Sequence, residues 1–203
     1  MYLEELITKK WRLEADNNRG KLYCLMPQIN DHFYLHELCK KIDKTNYDQL
    51  ESTLNIKLIP ELKEFYSQFN GCRLFISSIN IYGIPLKDSF PMDFVVNDFN
   101  VHAQYGFSKE EHKDIVFFVS VGDLDLSYKQ SELDNAKIYL TEKGNIEPIH
   151  IFDSIKDVMI YYFNILYKEY GADGYRKHPD IVFEGLPHLE NKFFGEIDWK
   201  DEI

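Results

Sequence analysis

Cysteine is scarce in this sequence. Cys24, Cys39 and Cys72 are odd in number and far apart, so a disulfide framework or a structural zinc set is not expected. Three reduced thiols buried in the core of a cytoplasmic protein are the natural expectation. Long apolar runs are missing too. No stretch approaches the roughly 18 residues that a membrane-spanning helix requires, and the opening MYLEELITKKW lacks the apolar centre of a signal peptide. No membrane partner is expected.

Excess positive charge is also lacking. Asp and Glu number 34 against 23 Lys and Arg, a formal net charge of −11. Residues 1–84 balance at 11 against 11, whereas 85–135 hold 10 acids against 4 bases and 184–203 hold 6 against 2. Such a field repels nucleic acid phosphate and speeds encounter with a basic protein. A solvated acidic surface kept for solubility fits the same charges, so both readings stand.

Catalytic signatures are missing as well. There is no G-x-S-x-G elbow, H-E-x-x-H helix, G-x-x-x-x-G-K loop or cysteine–histidine signature, so the chain is not expected to be an enzyme or to carry a cofactor. Asp31 is a good N-cap for a helix reaching about Ile42, which would put His32 and His36 on one face, i to i+4. Phe33 stands where a zincin-type pair needs glutamate, and no third ligand is evident, so a metal is not expected there. Asp123 and Asp125 lack the further carboxylates of a calcium loop.

What is present is a scaffold. Fourteen Tyr and 15 Phe predict a largely aromatic core. The stretch Ile56–Pro85 organises the chain: Pro60 suits a first helical turn, Leu62, Phe65, Tyr66 and Phe69 follow helical spacing, and Asn70-Gly71 offers a stop. Strands are then expected at Leu74–Ile76 and Ile79–Tyr82.

A first helix is expected over residues 2–14, a strand over Lys21–Met26, and a helical turn or two over Tyr47–Leu54. A buried strand is expected at Asp114–Val121. Further strands fall at Ala136–Leu140 and Ile146–Phe152, joined through Lys143-Gly144-Asn145 as a hairpin. Asp153 or Ser154 caps the longest helix, whose Ile155, Val158, Met159, Tyr162, Phe163, Leu166 and Tyr170 form one apolar stripe that ends at Gly171.

The run from Leu50 to Gly83, with Ile59-Pro60, Phe65-Tyr66, Phe69-Asn70-Gly71 and Ile81-Tyr82-Gly83 in order, resembles the SUKH superfamily. That superfamily includes fungal cell-wall assembly regulators and bacterial proteins that give immunity to toxins. The resemblance extends to about Tyr170. Many members place a glycine-rich acidic turn after the central strand, where this chain has only Gly122-Asp123-Leu124-Asp125. The resemblance implies a single α+β domain, a mainly antiparallel twisted sheet flanked by helices.

Three parts are expected: a helical N-terminal extension over 1–45 packed on the domain, the SUKH-like domain over 46–171, and a docked acidic-aromatic tail over 172–203. The function implied is protein binding, most concretely immunity against a basic, nuclease-like toxin domain. A regulatory or scaffolding role is the alternative. Asp88, Asp93, Asp98, Glu110 and Glu111, interspersed with Phe90, Phe94, Phe99, Tyr105 and Phe107, together with Asp123 and Asp125, are the candidate partner-binding residues.

Overall fold

Pro60 opens a helix that runs only to Tyr66, and the chain turns straight from it into a strand at Phe69. Among the described residues this helix-to-strand step anchors a nine-stranded antiparallel sheet whose spatial order follows the chain, β1 to β9. The computed structural model describes residues 3–17, 21–25, 34–40, 48, 51–52, 55–83 and 114–177.

Within them α1 is Leu3–Thr8, β1 Glu14–Asp16, β2 Lys21–Leu25 and β3 Tyr34–Lys40. Then come α2, Pro60–Tyr66, β4, Phe69–Leu74, and β5, Ile79–Ile81. After these follow β6, Ile115–Val121, β7, Leu124–Lys129, a 3-10 segment at Gln130–Asn135, β8, Ile138–Glu142, β9, His150–Phe152, and α3, Ile155–Glu169. The result is a single α+β domain.

Residues directly opposite in an antiparallel pair point to the same face, so the register sorts the side chains. One lane reads Leu22, Leu38, Cys72, Ile81, Val119, Leu126 and Leu140 from β2 to β8. This is the core face. Trp11, just after α1, lies 5.7 Å from Phe75, and Phe163 of α3 stacks on His36 at 6.5 Å and 7°. Tyr66 Oη donates to Tyr82 O at 2.6 Å, and Ile155 N donates to Glu61 at 2.7 Å, tying α2 to the sheet and to the start of α3. Ser154 is the cap of α3, its hydroxyl accepting from Asp157 N at 3.0 Å.

The neighbouring lane is polar from end to end. Glu14, Tyr23, Glu37, Arg73, Asn80, Ser120, Asp125 and Thr141 stand in register across eight strands, on the face opposite the core. Within it Glu37 is buried between Lys21, which donates to it from the next position on that face of β2, and Arg73 at 3.7 Å.

Several expectations need correcting. The helix expected from Asp31 is strand β3, so His36 alternates with Leu35 and Glu37 and shares no helical face with another histidine. His32 lies outside the described residues. Helix-forming Leu, Glu and Lys were overridden because β2 and β4 pair with this segment on either side. The expected N-terminal extension therefore supplies three strands to the same sheet. Asn70-Gly71 is no helix stop: the helix closes at Ser67, and Gly71, at φ +85°, sits inside β4 against β5.

Phe75, Ile76 and Ser77 form the β4–β5 turn with φ of 52°, 54° and 66°, so the expected strand over Leu74–Ile76 ends at Leu74. Cys24, Cys39 and Cys72 are buried and none forms a disulfide, as the spacing indicated. Burial pushes the thiols of Cys24 and Cys39 up to about 11.

Candidate protein-binding edge

Antiparallel pairing puts alternate strand ends together, and one end of this sheet gathers three turns. Phe75–Ser78 joins β4 to β5, Gly122-Asp123 joins β6 to β7, and Lys143–Asn145 follows β8. Backbone bonds link them: Gly122 N donates to Ser78 O at 3.1 Å, and Lys143 N to Asp123 O at 3.2 Å. The turns thus form one continuous rim.

Of the acids singled out from the sequence, Asp88, Asp93, Asp98, Glu110 and Glu111 lie outside the described residues. Asp123 is exposed on the rim. Asp125, two residues on, is buried in the polar lane between Ser120 and Thr141. Though near in sequence, the two carboxylates occupy different environments, one open to solvent and one enclosed. Among the described residues no three His, Cys, Asp or Glu side chains gather as metal ligands, and no helix is long and apolar enough to cross a membrane.

Apolar side chains that sequence reasoning did not single out are exposed too, one on the rim at Ile76 and three along the last strand and the loop before it. Ile76, Ile146, Ile149 and Ile151 are the exposed large hydrophobics of the described residues. Three of them fall within six positions along β9 and the loop before it. Glu142, Lys143 and Glu147 are exposed beside them. The signal for this edge was Pro148: a proline inside an apolar β-rich run demotes it to an edge strand, because the ladder loses a donor there. The regular strand accordingly covers only His150–Phe152 of the expected Ile146–Phe152.

His36 is the other group with an unusual setting. Both ring nitrogens are buried without a hydrogen-bond partner, among Trp11 at 4.9 Å, Phe75 at 4.7 Å and Phe163. Desolvation lowers its pKa to about 3, so the ring is neutral and acts as an apolar filler. It cannot exchange protons with a substrate near neutral pH.

The family model described as SMI1 / KNR4 family (SUKH-1) matches residues 41–160. The chain belongs to the SMI1/KNR4 (SUKH-1) family. The match runs from just after β3 to the middle of α3, close to the stretch whose motifs carried the resemblance. No curated protein matches the chain. Membership in SUKH-1 supports a protein-binding module of the immunity or regulatory kind, and in this chain β9 and the loop before it expose three isoleucines close in sequence to Glu142 and Glu147.

Proposed function

We infer that this SUKH-1 protein is a bacterial immunity protein that binds a cognate, basic toxin domain and holds it inactive in the cytoplasm. Binding needs no bond making, no cofactor and no nucleic acid. Ile146, Ile149 and Ile151, exposed together beside Glu142 and Glu147, carry the reading: they are a desolvatable centre with an acidic border, the arrangement that gives affinity at the middle and steering at the edge of an interface. The excess of acids over 85–135 extends that field, with Asp88, Asp93, Asp98, Glu110, Glu111, Asp123 and Asp125 as its proposed contributors.

Co-expression with the toxin domain encoded beside the gene tests the reading. The chain is expected to restore growth and to co-purify with that domain at equal stoichiometry. Unrelieved toxicity with no complex would refute it. A gene standing alone, without a toxin neighbour, would turn the reading toward regulation or scaffolding.

A further inference from the structure

The geometry points to β9 as a docking edge that receives an extended, lysine- or arginine-bearing segment of the partner as an additional strand. This rests on the immunity reading and specifies its contact. As the last strand in the sheet order, β9 has a single strand neighbour among the described residues. An edge strand carries a row of backbone donors and acceptors on its outer side, which proteins protect with charged side chains, with proline or by keeping the strand short; β9 is short and follows a proline but has no charge of its own. From Ile149 to Phe152 the sequence is Ile-His-Ile-Phe, with no lysine, arginine or carboxylate. Pro148 removes a donor just before the strand, and Ile149 N donates inward to Leu140 O at 2.9 Å, so the outer groups on offer are those within His150–Phe152.

The side chains fit the same occupant. Ile151 stands opposite Tyr139 on the outer face of the sheet, and Ile149, just before the strand, is exposed as well. Together with Ile146 they are 38–49% exposed, three side chains that make only a small apolar patch. Stable interfaces cover about 800 Å² on each partner, so this patch alone does not hold a complex, and main-chain bonds along the edge would supply the remainder of its core. Charge selects the partner's sign. Glu142, Glu147 and Asp123 are exposed around the edge against Lys143. A second copy would bring the same acids face to face, whereas alternating basic and β-branched residues set apolar side chains on the isoleucines and cations toward the acids.

The test uses the full isotopically labelled chain and two synthetic nonapeptides, one alternating Lys with Val and one alternating Glu with Val. The lysine peptide is expected to shift backbone resonances at 147–152, with binding about tenfold weaker in Ile149→Lys/Ile151→Lys. Both sites are solvent-facing, and Ile151→Thr, which keeps strand propensity, provides a second variant with the same sense of change. Equal binding of the glutamate peptide, shifts centred elsewhere, no shifts at millimolar peptide, or concentration-dependent shifts at β9 without peptide would each overturn the proposal. A toxin still neutralised by the double variant removes the β9 edge and retains the immunity reading. Peptide docking on β9 with no toxin neutralised does the reverse.

Discussion

Ile151 and Tyr139 are directly opposite in the β8–β9 pair, yet Ile151 is 49% exposed and Tyr139 only 9%. The tyrosine is fixed from its own side: its hydroxyl donates to Glu132 at 2.5 Å and Lys129 Nζ lies 4.5 Å from its ring centre. The isoleucine has no such enclosure. Ile151→Lys is therefore expected to change unfolding free energy by less than about 0.5 kcal/mol, while Tyr139→Ala loses about 2–4 kcal/mol. Urea titration of both variants checks the contrast.

His36 makes stability depend on pH. Its folded pKa, about 3, lies below the unfolded value of 6.5. Between those limits the unfolded chain binds the extra proton, so the stabilisation is complete above pH 6.5 and declines as pH falls toward 3, by up to about 1.4 kcal/mol per pH unit. Replacing the ring with leucine removes this dependence. The stability of wild type minus that of His36→Leu is expected to rise from pH 3 to 6.5 and then level off. A difference that stays constant over that range contradicts the burial of a neutral imidazole.

Gly71 and Gly144 both have positive φ, +85° and +79°, and differ in surroundings. A Cβ at Gly71 would come within 2.9 Å of Gly83 N and Ile81 O, both backbone, whereas one at Gly144 meets nothing within 4 Å. Gly144→Ala carries only the conformational cost, about 1 kcal/mol. Gly71→Ala adds displacement of β5 and is expected to lose about 3 kcal/mol or more. Equal losses in paired denaturation curves would show that the close approach of β4 and β5 is wrong.

Glu37 sits between Lys21 and Arg73 in the polar lane. Removing the carboxylate leaves two cations facing each other, and Glu37→Ala is expected to destabilise by about 3 kcal/mol, reduced where Arg73 reaches solvent. The double variant Lys21→Met/Glu37→Leu, with neither buried charge, is expected to recover most of that loss. A double-mutant cycle measures the coupling directly.

Parts of the fold written in local chemistry were legible. The stripe of α3 and its cap, the continuous apolar run of β6, and the proline start of α2 are all specified by residues within a few positions of one another. Long-range pairing was less visible. β3 carries helix-forming residues and becomes a strand through its two neighbours.

In β7, Leu124, Leu126 and Tyr128 face the core while Asp125 and Ser127 point outward, so a strand was hidden behind what reads as an acidic turn. The Phe75–Ser77 turn has no Gly or Asn to announce it. Its left-handed residues are held by Ser78, whose N and Oγ donate to Phe75 O, and from outside by Tyr170 Oη, which donates to the same oxygen, and by Leu35 O, which accepts from Ile76 N at 3.0 Å. Exposure, which defines the binding edge, depends on every other residue and leaves only Pro148 as its trace in the sequence.

The decisive measurement is stopped-flow association of the full chain with a cognate basic toxin domain, followed across ionic strength. A one-to-one complex is expected whose on-rate falls steeply as salt rises, and whose salt dependence weakens when Asp88, Asp93 and Asp98 are reversed in charge with the melting temperature nearly unchanged. Absence of a complex, or an on-rate indifferent to salt, would contradict the immunity reading.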